Sequence, residues 1–574
     1  MIATPMITIM SAQKEPFTTT APTMDEKKIA NPTSDLSEDA SISINNASHY
    51  EGTPVERETV KRKLKSRHMQ FYAIGGTIGT GLFVGIGGGL AQAGPLSLLL
   101  GYSITSIFIF AMMRCLGEMT TWIPLPGATP RFCSRFVDEA LGFAVGWNQW
   151  YNCAITVCAE ISAAAAVIQF WNDTISPAVW ISIILVLIFI FNLIDVGIFG
   201  EVEFVCSCVK IVALVGLLIL SLVIDLGGGP THDRLGFRWL TWVFGNRYWH
   251  HPGAMLEYIA SGDTGRFLGL FNAIVNAGFA FAGIEMVAVA AGETENPRYN
   301  IPKAINRLFW RIIFFYVLGT LAIGVIVPYN DDRLLNGGAG VASSPWVIGI
   351  SRAGIKVLPS IINAVVLLSA ASSGNALLYS GSRYLLALAE GGQAPKFLLK
   401  CTKRGVPIYC VLCTGALAPL TYMAVSSDSA RVFSWFANLV TTAALFTWCS
   451  ICIAYIGFDR ALKAQGINQN EELAFKGFLQ PYISYISLVF FIIVIIFNGF
   501  SVFIHGHWDT QKFVVSYVGI PIFFTLFLGW KFFKKTKIRT AEEIDLHTGR
   551  QLDESTEYAE KPKGMLDRLW KWAA

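Results

Sequence analysis

Twelve long apolar stretches punctuate the chain, near 69–93, 95–119, 139–168, 178–196, 202–224, 268–292, 306–328, 357–388, 406–425, 431–457, 481–500 and 513–533. A helix crosses a bilayer's hydrocarbon with about 20 apolar residues. Backbone in lipid must satisfy its own hydrogen bonds, so such stretches are predicted as helices rather than open strands. The pattern predicts an all-α membrane protein with 12 transmembrane helices. A disordered polar tail is expected over 1–68, the helical domain over 69–533 and a charged tail over 534–574. The apolar start, Met1 to Met10, lacks a basic flank, so no cleaved signal peptide is expected. Near the other end, Leu566, Leu569, Trp570 and Ala573 form an i, i+3, i+4, i+7 stripe. It suits either a membrane-surface helix or a short frayed one.

Composition narrows the class. Hydrophobic residues make up 53% of the 574 and charged ones only 15%, against roughly 25% charged in soluble domains. A soluble enzyme, a disulfide scaffold and a disordered chain are excluded. Lys and Arg gather before the first stretch (Lys61, Arg62, Lys63, Lys65, Arg67), after the last (Lys534, Lys535, Lys537, Arg539) and in alternate loops (Arg131, Arg135, Arg298, Lys303, Lys396, Lys400, Arg460, Lys463). The positive-inside rule then places both termini in the cytoplasm. No segment mixes basic and aromatic residues as nucleic-acid binding requires. The eleven cysteines lie in apolar stretches or predicted inner loops, so no disulfide framework is implied. All eight histidines lie outside mid-membrane, which leaves neither a histidine relay nor a metal site. The sequon at Asn172 hugs the membrane and is expected to stay unmodified.

Candidate chemistry starts in the first stretch, at Ala73-Ile74-Gly75-Gly76-Thr77-Ile78-Gly79-Thr80-Gly81-Leu82-Phe83. Each glycine costs a helix roughly 1 kcal/mol relative to alanine. Two readings suit the run: a helix unwound to face a ligand, or close helix–helix packing through small residues. The sixth stretch tips the balance, because Ala277-Gly278-Phe279-Ala280-Phe281-Ala282-Gly283-Ile284-Glu285 flanks aromatic residues with glycine and ends on a carboxylate. Interruptions at matching places in two halves point to a transporter site. Half-helix N-termini offer N–H groups to a carboxylate, and half-helix C-termini offer carbonyls to an ammonium. The pair predicts an α-amino acid as substrate.

These residues resemble the fungal amino-acid permeases, within the amino acid–polyamine–organocation superfamily, from about Lys61 to Lys535. Besides the first-stretch run, the shared motifs are Leu116-Gly117-Glu118-Met119, Gly142-Phe143-Ala144-Val145-Gly146-Trp147-Asn148, Ala291-Gly292-Glu293-Thr294-Glu295-Asn296-Pro297-Arg298 and Ser380-Gly381-Ser382-Arg383. The resemblance implies a 5+5 inverted repeat with broken helices 1 and 6, plus two extra helices. It implies alternating access and amino-acid symport with a proton across the plasma membrane, with the proton gradient as driving force and no cofactor. It also implies that Ile78, Thr80 and Gly81 contact the substrate's carboxylate and amino group. The carbonyls of Phe279 and Ala282, beside Gly283, would accept from the ammonium, with the Phe279 ring as a gate. Two places depart from the family pattern: Ile284, where relatives often carry Thr, and Gln149-Trp150-Tyr151-Asn152.

A charge at mid-membrane is a functional candidate by default. Glu118, near a helix end, reads as an anchor or a coupling group. Glu160 lies deep in the third stretch with no sequence neighbour to pair with, and Glu285 ends the sixth-stretch break. By resemblance, Lys210 matches a lysine set against the unwound first helix, its protonated form tying the fifth stretch to first-stretch carbonyls. The alternative is a structural ion pair with Glu203. Glu293, Glu295 and Arg298 suit gate ion pairs or a solvated face equally. Arg383 suits an anchor or an inner gate. Lys14, Lys27 and Lys28 are candidate points for ubiquitin ligase adaptors. The competing function is an amino-acid sensor that binds without transporting. No Ser/His/Asp or metal constellation supports an enzyme.

Overall fold

Apolar runs become helices throughout the described residues, and no strand occurs among them. In this computed structural model those residues are 71 and 75–548, apart from 126, 173, 195, 237–246, 294–296, 336–343, 427–428, 470–472, 474, 476 and 478. Residues 1–57 lie wholly outside them. The expected N-terminal tail, with Lys14, Lys27 and Lys28, and the stripe ending at Ala573 are therefore outside the described residues too.

The principal helices are α1 (Gly81–Ala93), α2 (Pro95–Trp122), α3 (Ala128–Phe136), α4 (Glu139–Ile168), α5 (Pro177–Leu193), α6 (Val196–Asp225) and α7 (Gly262–Ala280). After a 3-10 segment, Ile284–Glu293, come α8 (Pro297–Ile326), α9 (Pro345–Arg352), α10 (Leu358–Glu390), α11 (Ile408–Gly415), α12 (Ser429–Ala464), α13 (Tyr482–Phe497), α14 (Thr510–Tyr517) and α15 (Gly519–Lys534). Among the described residues, eight helical spans are long and apolar enough to cross a membrane, and four shorter apolar helices accompany them.

Local sequence explains where they start. Prolines open α2, α5, α8 and α9, where a missing N–H is harmless. Asp138 Oδ1 accepts from Ala140 N at 3.0 Å, and Asp509 Oδ1 from Gln511 N at 2.9 Å, capping α4 and α14. Helices α7 and α8 begin well ahead of their apolar stretches, because hydropathy marks contact with lipid rather than helical hydrogen bonding. The ninth stretch is not one helix: after α11 the backbone tightens into a 3-10 turn, Ala418–Tyr422, around Pro419, which has no N–H to give.

Helix α4 is the centre of the bundle, with 89% of its apolar window buried, against 11% for the window of α14 and α15. It packs chiefly on α10 and α12. Its Gly142, Ala144, Gly146, Ala154, Ala159, Ala163 and Ala164 allow close backbone approach. At one end of the bundle the chain after α15 turns back and docks. There Trp122 Nε1 donates to Leu546 O at 3.0 Å, Arg539 N to Val137 O at 2.9 Å and Gln465 Nε2 to Ile544 O at 2.7 Å. Arg135 pairs with Asp545 at 2.6 Å. Ile544 and Leu546 are buried. We call this end the tail face.

Candidate functional site

The first-stretch glycines interrupt the helix. Helical geometry lapses at Ile78 and Gly79 and resumes in a π-turn, Gly81–Gly85, that leads into α1. Backbone groups released inside a membrane must find partners, and here they do. Gly75 O accepts from Lys210 Nζ at 2.7 Å, Gly76 O from Ser373 Oγ at 3.2 Å, Thr77 O from Tyr316 OH at 3.0 Å and Ile78 O from Ser369 Oγ at 3.0 Å. The donors come from α6, α8 and α10, so three helices hold the lapse open.

On the other side of the break, Thr80 N donates to both oxygens of Glu160, at 3.2 and 3.1 Å. Ser373 Oγ also lies 3.2 Å from Glu160 Oε1. The start of a helix carries free N–H groups and partial positive charge. The group expected to receive a substrate carboxylate is thus engaged by the chain's own carboxylate. The glycines supply the room. A Cβ on Gly79 would lie 2.1 Å from Glu160 Oε1, and one on Gly75 would lie 2.6 Å from Glu203 Oε2.

The second interruption follows α7. Gly283 adopts φ +91°, a conformation that side chains disfavour, and the chain re-forms as the 3-10 segment. Within that turn Phe279 O accepts from Ala282 N at 3.1 Å. The two interruptions face each other: a Cβ on Gly81 would lie 2.9 Å from Ala280 Cα, and one on Gly283 would lie 3.7 Å from Gly76 O. Tyr316 OH joins them, reaching Ala280 O at 2.6 Å as well as Thr77 O. It has one proton to share between the two carbonyls.

Phe279 is nearly buried and stands edge-on to Phe433 at 5.4 Å. It borders a cavity of about 420 Å³ whose walls include Gly85, Asn272, Asn276, Asn438 and Thr441, with Arg333 and Lys512 further out. This cavity lies at the end away from the tail face. Ile78, Thr80, Gly81, Ala282 and Gly283 are buried and do not line it. Glu285 accepts from Trp448 Nε1 at 3.2 Å, which fixes the 3-10 segment to α12. Glu118 stands apart from both breaks. It accepts from Tyr455 OH at 2.6 Å and from Gly477 N, tying a loop near the tail face to α2 and α12.

The structure therefore gathers Ile78, Thr80, Gly81, Glu160, Lys210, Phe279, Ala282 and Gly283 around two facing breaks and leaves Glu118 elsewhere. Sequence reasoning passed over Tyr316, Ser369, Ser372, Ser373 and Asn375. The signal available was the polar cluster Ser369-x-x-Ser372-Ser373-x-Asn375 inside an apolar stretch.

A family model described as "Amino acid permease" matches residues 68–543. The chain is 42% identical to a proline-specific permease of Emericella nidulans, covering 91% of this chain and 95% of that protein. It is 40% identical to the dicarboxylic amino acid permease of Saccharomyces cerevisiae, over 87% of this chain and 81% of that one. A lysine-specific permease of the same yeast is 39% identical, over 91% and 83%. With its apolar helices and two facing interruptions, this multi-pass membrane protein belongs to the amino acid permease family, within the amino acid–polyamine–organocation superfamily.

Proposed function

We propose that the chain imports amino acids across the plasma membrane by proton symport with alternating access. In this reading the eight long and four shorter apolar helices make twelve crossings in a five-plus-five inverted repeat, and both termini are cytoplasmic. The single observation that carries it is Glu160 on the Thr80 N–H, at the start of a half-helix. Protonated, Glu160 ceases to compete as an anion for that N–H, and a substrate carboxylate takes its place. Proton and amino acid thus enter as a pair. The substrate ammonium turns to the carbonyls of Phe279 and Ala282, beside Gly283, and the Phe279 ring closes over it from the 420 Å³ cavity. Ile78 and Gly81 complete the wall. Lys210 holds Gly75 O while charged and releases it on losing its proton, which lets α6 move from the first break. Glu285 keeps the second break's inner half on α12, and Glu118 anchors the tail-face loop. The N-terminal tail serves ubiquitin ligase adaptors.

The relatives named for proline, dicarboxylic amino acids and lysine define the substrates to try first. Labelled proline, glutamate and lysine are offered to cells lacking their own carriers, at about pH 5 and about pH 7, with and without a protonophore. Accumulation that is stronger in acid and abolished by the protonophore is expected for at least one. Binding without accumulation at either pH refutes transport and leaves a sensor.

A further inference from the structure

Helix α6 brings a second carboxylate to the first break. Glu203, Ser207 and Lys210 occupy i, i+4 and i+7, one face of the helix. All three touch the same short segment. Ser207 Oγ donates to Phe71 O at 2.8 Å, Lys210 Nζ to Gly75 O at 2.7 Å, and Glu203 Oε2 fills the space where Gly75 would carry a Cβ. All three are fully buried. Glu203 takes neutral donors, Ser372 Oγ at 2.8 Å and Asn375 Nδ2 at 2.9 Å, and Asn375 is itself held by Asn192 at 2.7 Å. Ser373, the next residue of α10, serves Glu160. Adjacent serines thus address two carboxylates on either side of one ammonium.

The charges do not balance. Glu160 and Glu203 both act electrostatically on Lys210, and fully ionised the three carry one net negative charge in a dry interior. The α-ammonium and α-carboxylate that a substrate brings to the breaks together add none. The other titratable groups packed here are Cys206 on α6 and Tyr316 on α8, with Tyr379 of α10 stacked on Phe199 one turn away. These are ordinarily neutral; among the described residues α5 and α10 set Asn192, Ser372, Ser373 and Asn375 around the carboxylates, and the next cation along α10, Arg383, is engaged over the Tyr379 ring at 3.9 Å. An uncompensated buried charge is strongly unfavourable. We propose that Glu203 is a positioning residue for coupling: its fixed negative charge holds the Lys210 ammonium on Gly75 and obliges Glu160 to take up a proton before the bundle closes. The inference rests on the symport reading above and adds the group that makes proton uptake compulsory.

Removing that charge leaves one carboxylate and one ammonium, which balance without a proton. In Glu203→Gln, uptake of whichever of proline, lysine or glutamate the wild type accumulates is expected to lose its acid dependence. Wild-type uptake should fall up to about ten-fold per pH unit on its alkaline limb, the variant less than about two-fold. Its accumulation ratio should collapse towards unity while counterflow stays measurable, and Glu203→Asp should restore the slope. A purely structural Glu203 predicts lower uptake with an unchanged pH profile, and that result overturns the proposal. Should Glu203→Gln fail to reach the membrane, Asn375→Ala decides. Loss of this donor should move the midpoint of uptake to higher pH, and an unmoved midpoint overturns the proposal equally. If the wild type itself shows no proton dependence, the symport reading fails first, and the two failures stay distinct.

Discussion

Replacing Gly79 with alanine probes the contact on which the proposed coupling depends. The new methyl carbon would lie 2.1 Å from Glu160 Oε1, 2.8 Å from Ser373 Oγ and 2.9 Å from Glu160 Cδ. No real contact tolerates the first, so Glu160 must withdraw and forfeit its bonds to Thr80 N. A hydrogen bond to a charged group is worth about 1.5–3 kcal/mol. At about 1.4 kcal/mol per decade, the gain in uptake that acid brings should shrink between roughly ten-fold and a hundred-fold. An ordinary helix would respond the other way, since alanine is preferred to glycine by about 1 kcal/mol. Gly529, in α15 with nothing within 4 Å of its would-be Cβ, is the control, and Gly529→Ala should transport normally. The assay is initial-rate uptake normalised to surface protein. Shortening the carboxylate in Gly79→Ala/Glu160→Asp should recover part of that gain. An unchanged acid dependence of uptake in Gly79→Ala alone would refute the argument.

Tyr316→Phe removes the hydroxyl that joins Thr77 O to Ala280 O, and about a ten-fold loss of maximal rate, with normal surface expression, is expected from one buried hydrogen bond. Trp448→Phe withdraws the donor to Glu285 and should lower the thermal midpoint of the purified protein in detergent by several degrees. Burial alone would raise the Asp331 carboxyl, but hydrogen bonds from Arg333 and Arg352 outweigh it and hold the group at about 2. Its folded value lies below the usual carboxylate value near ~3.9, so its contribution is fully present above that pH and is lost only as pH falls through about 2. Asp331→Asn should therefore destabilise the protein at neutral pH and equally in mild acid, as thermal melts at both will show.

The local lapse at Ile78 and Gly79 was legible because its cost is intrinsic. Glycines clustered as Gly75, Gly76, Gly79 and Gly81 weaken a helix wherever they stand, and Glu160 stood out as a carboxylate in an apolar run. The partners of the freed backbone were not legible. A serine in a membrane helix commonly bonds its own preceding turn, as Ser380 does with Ala376 O at 2.7 Å. Ser369 and Ser373 have the same local appearance yet reach across to Ile78 O and Gly76 O. Only the helix packing separates the two cases. Tyr316 was hidden likewise, an aromatic among aromatics until α8 meets both breaks. The docked segment after α15 escaped for another reason: Ile544 and Leu546 are single apolar residues in a charged run, and hydropathy averages them away.

That segment also sets an order of assembly. Residues 539–548 follow every helix of the bundle in chain order, yet they supply the carbonyl for the Trp122 indole and the carboxylate for Arg135, both of which are made long before. Until residues 539–548 have been made, neither of these two contacts can form at the tail face. A chain cut short after α15 is thereby chemically distinguishable, at the tail face, from one that carries the docked segment.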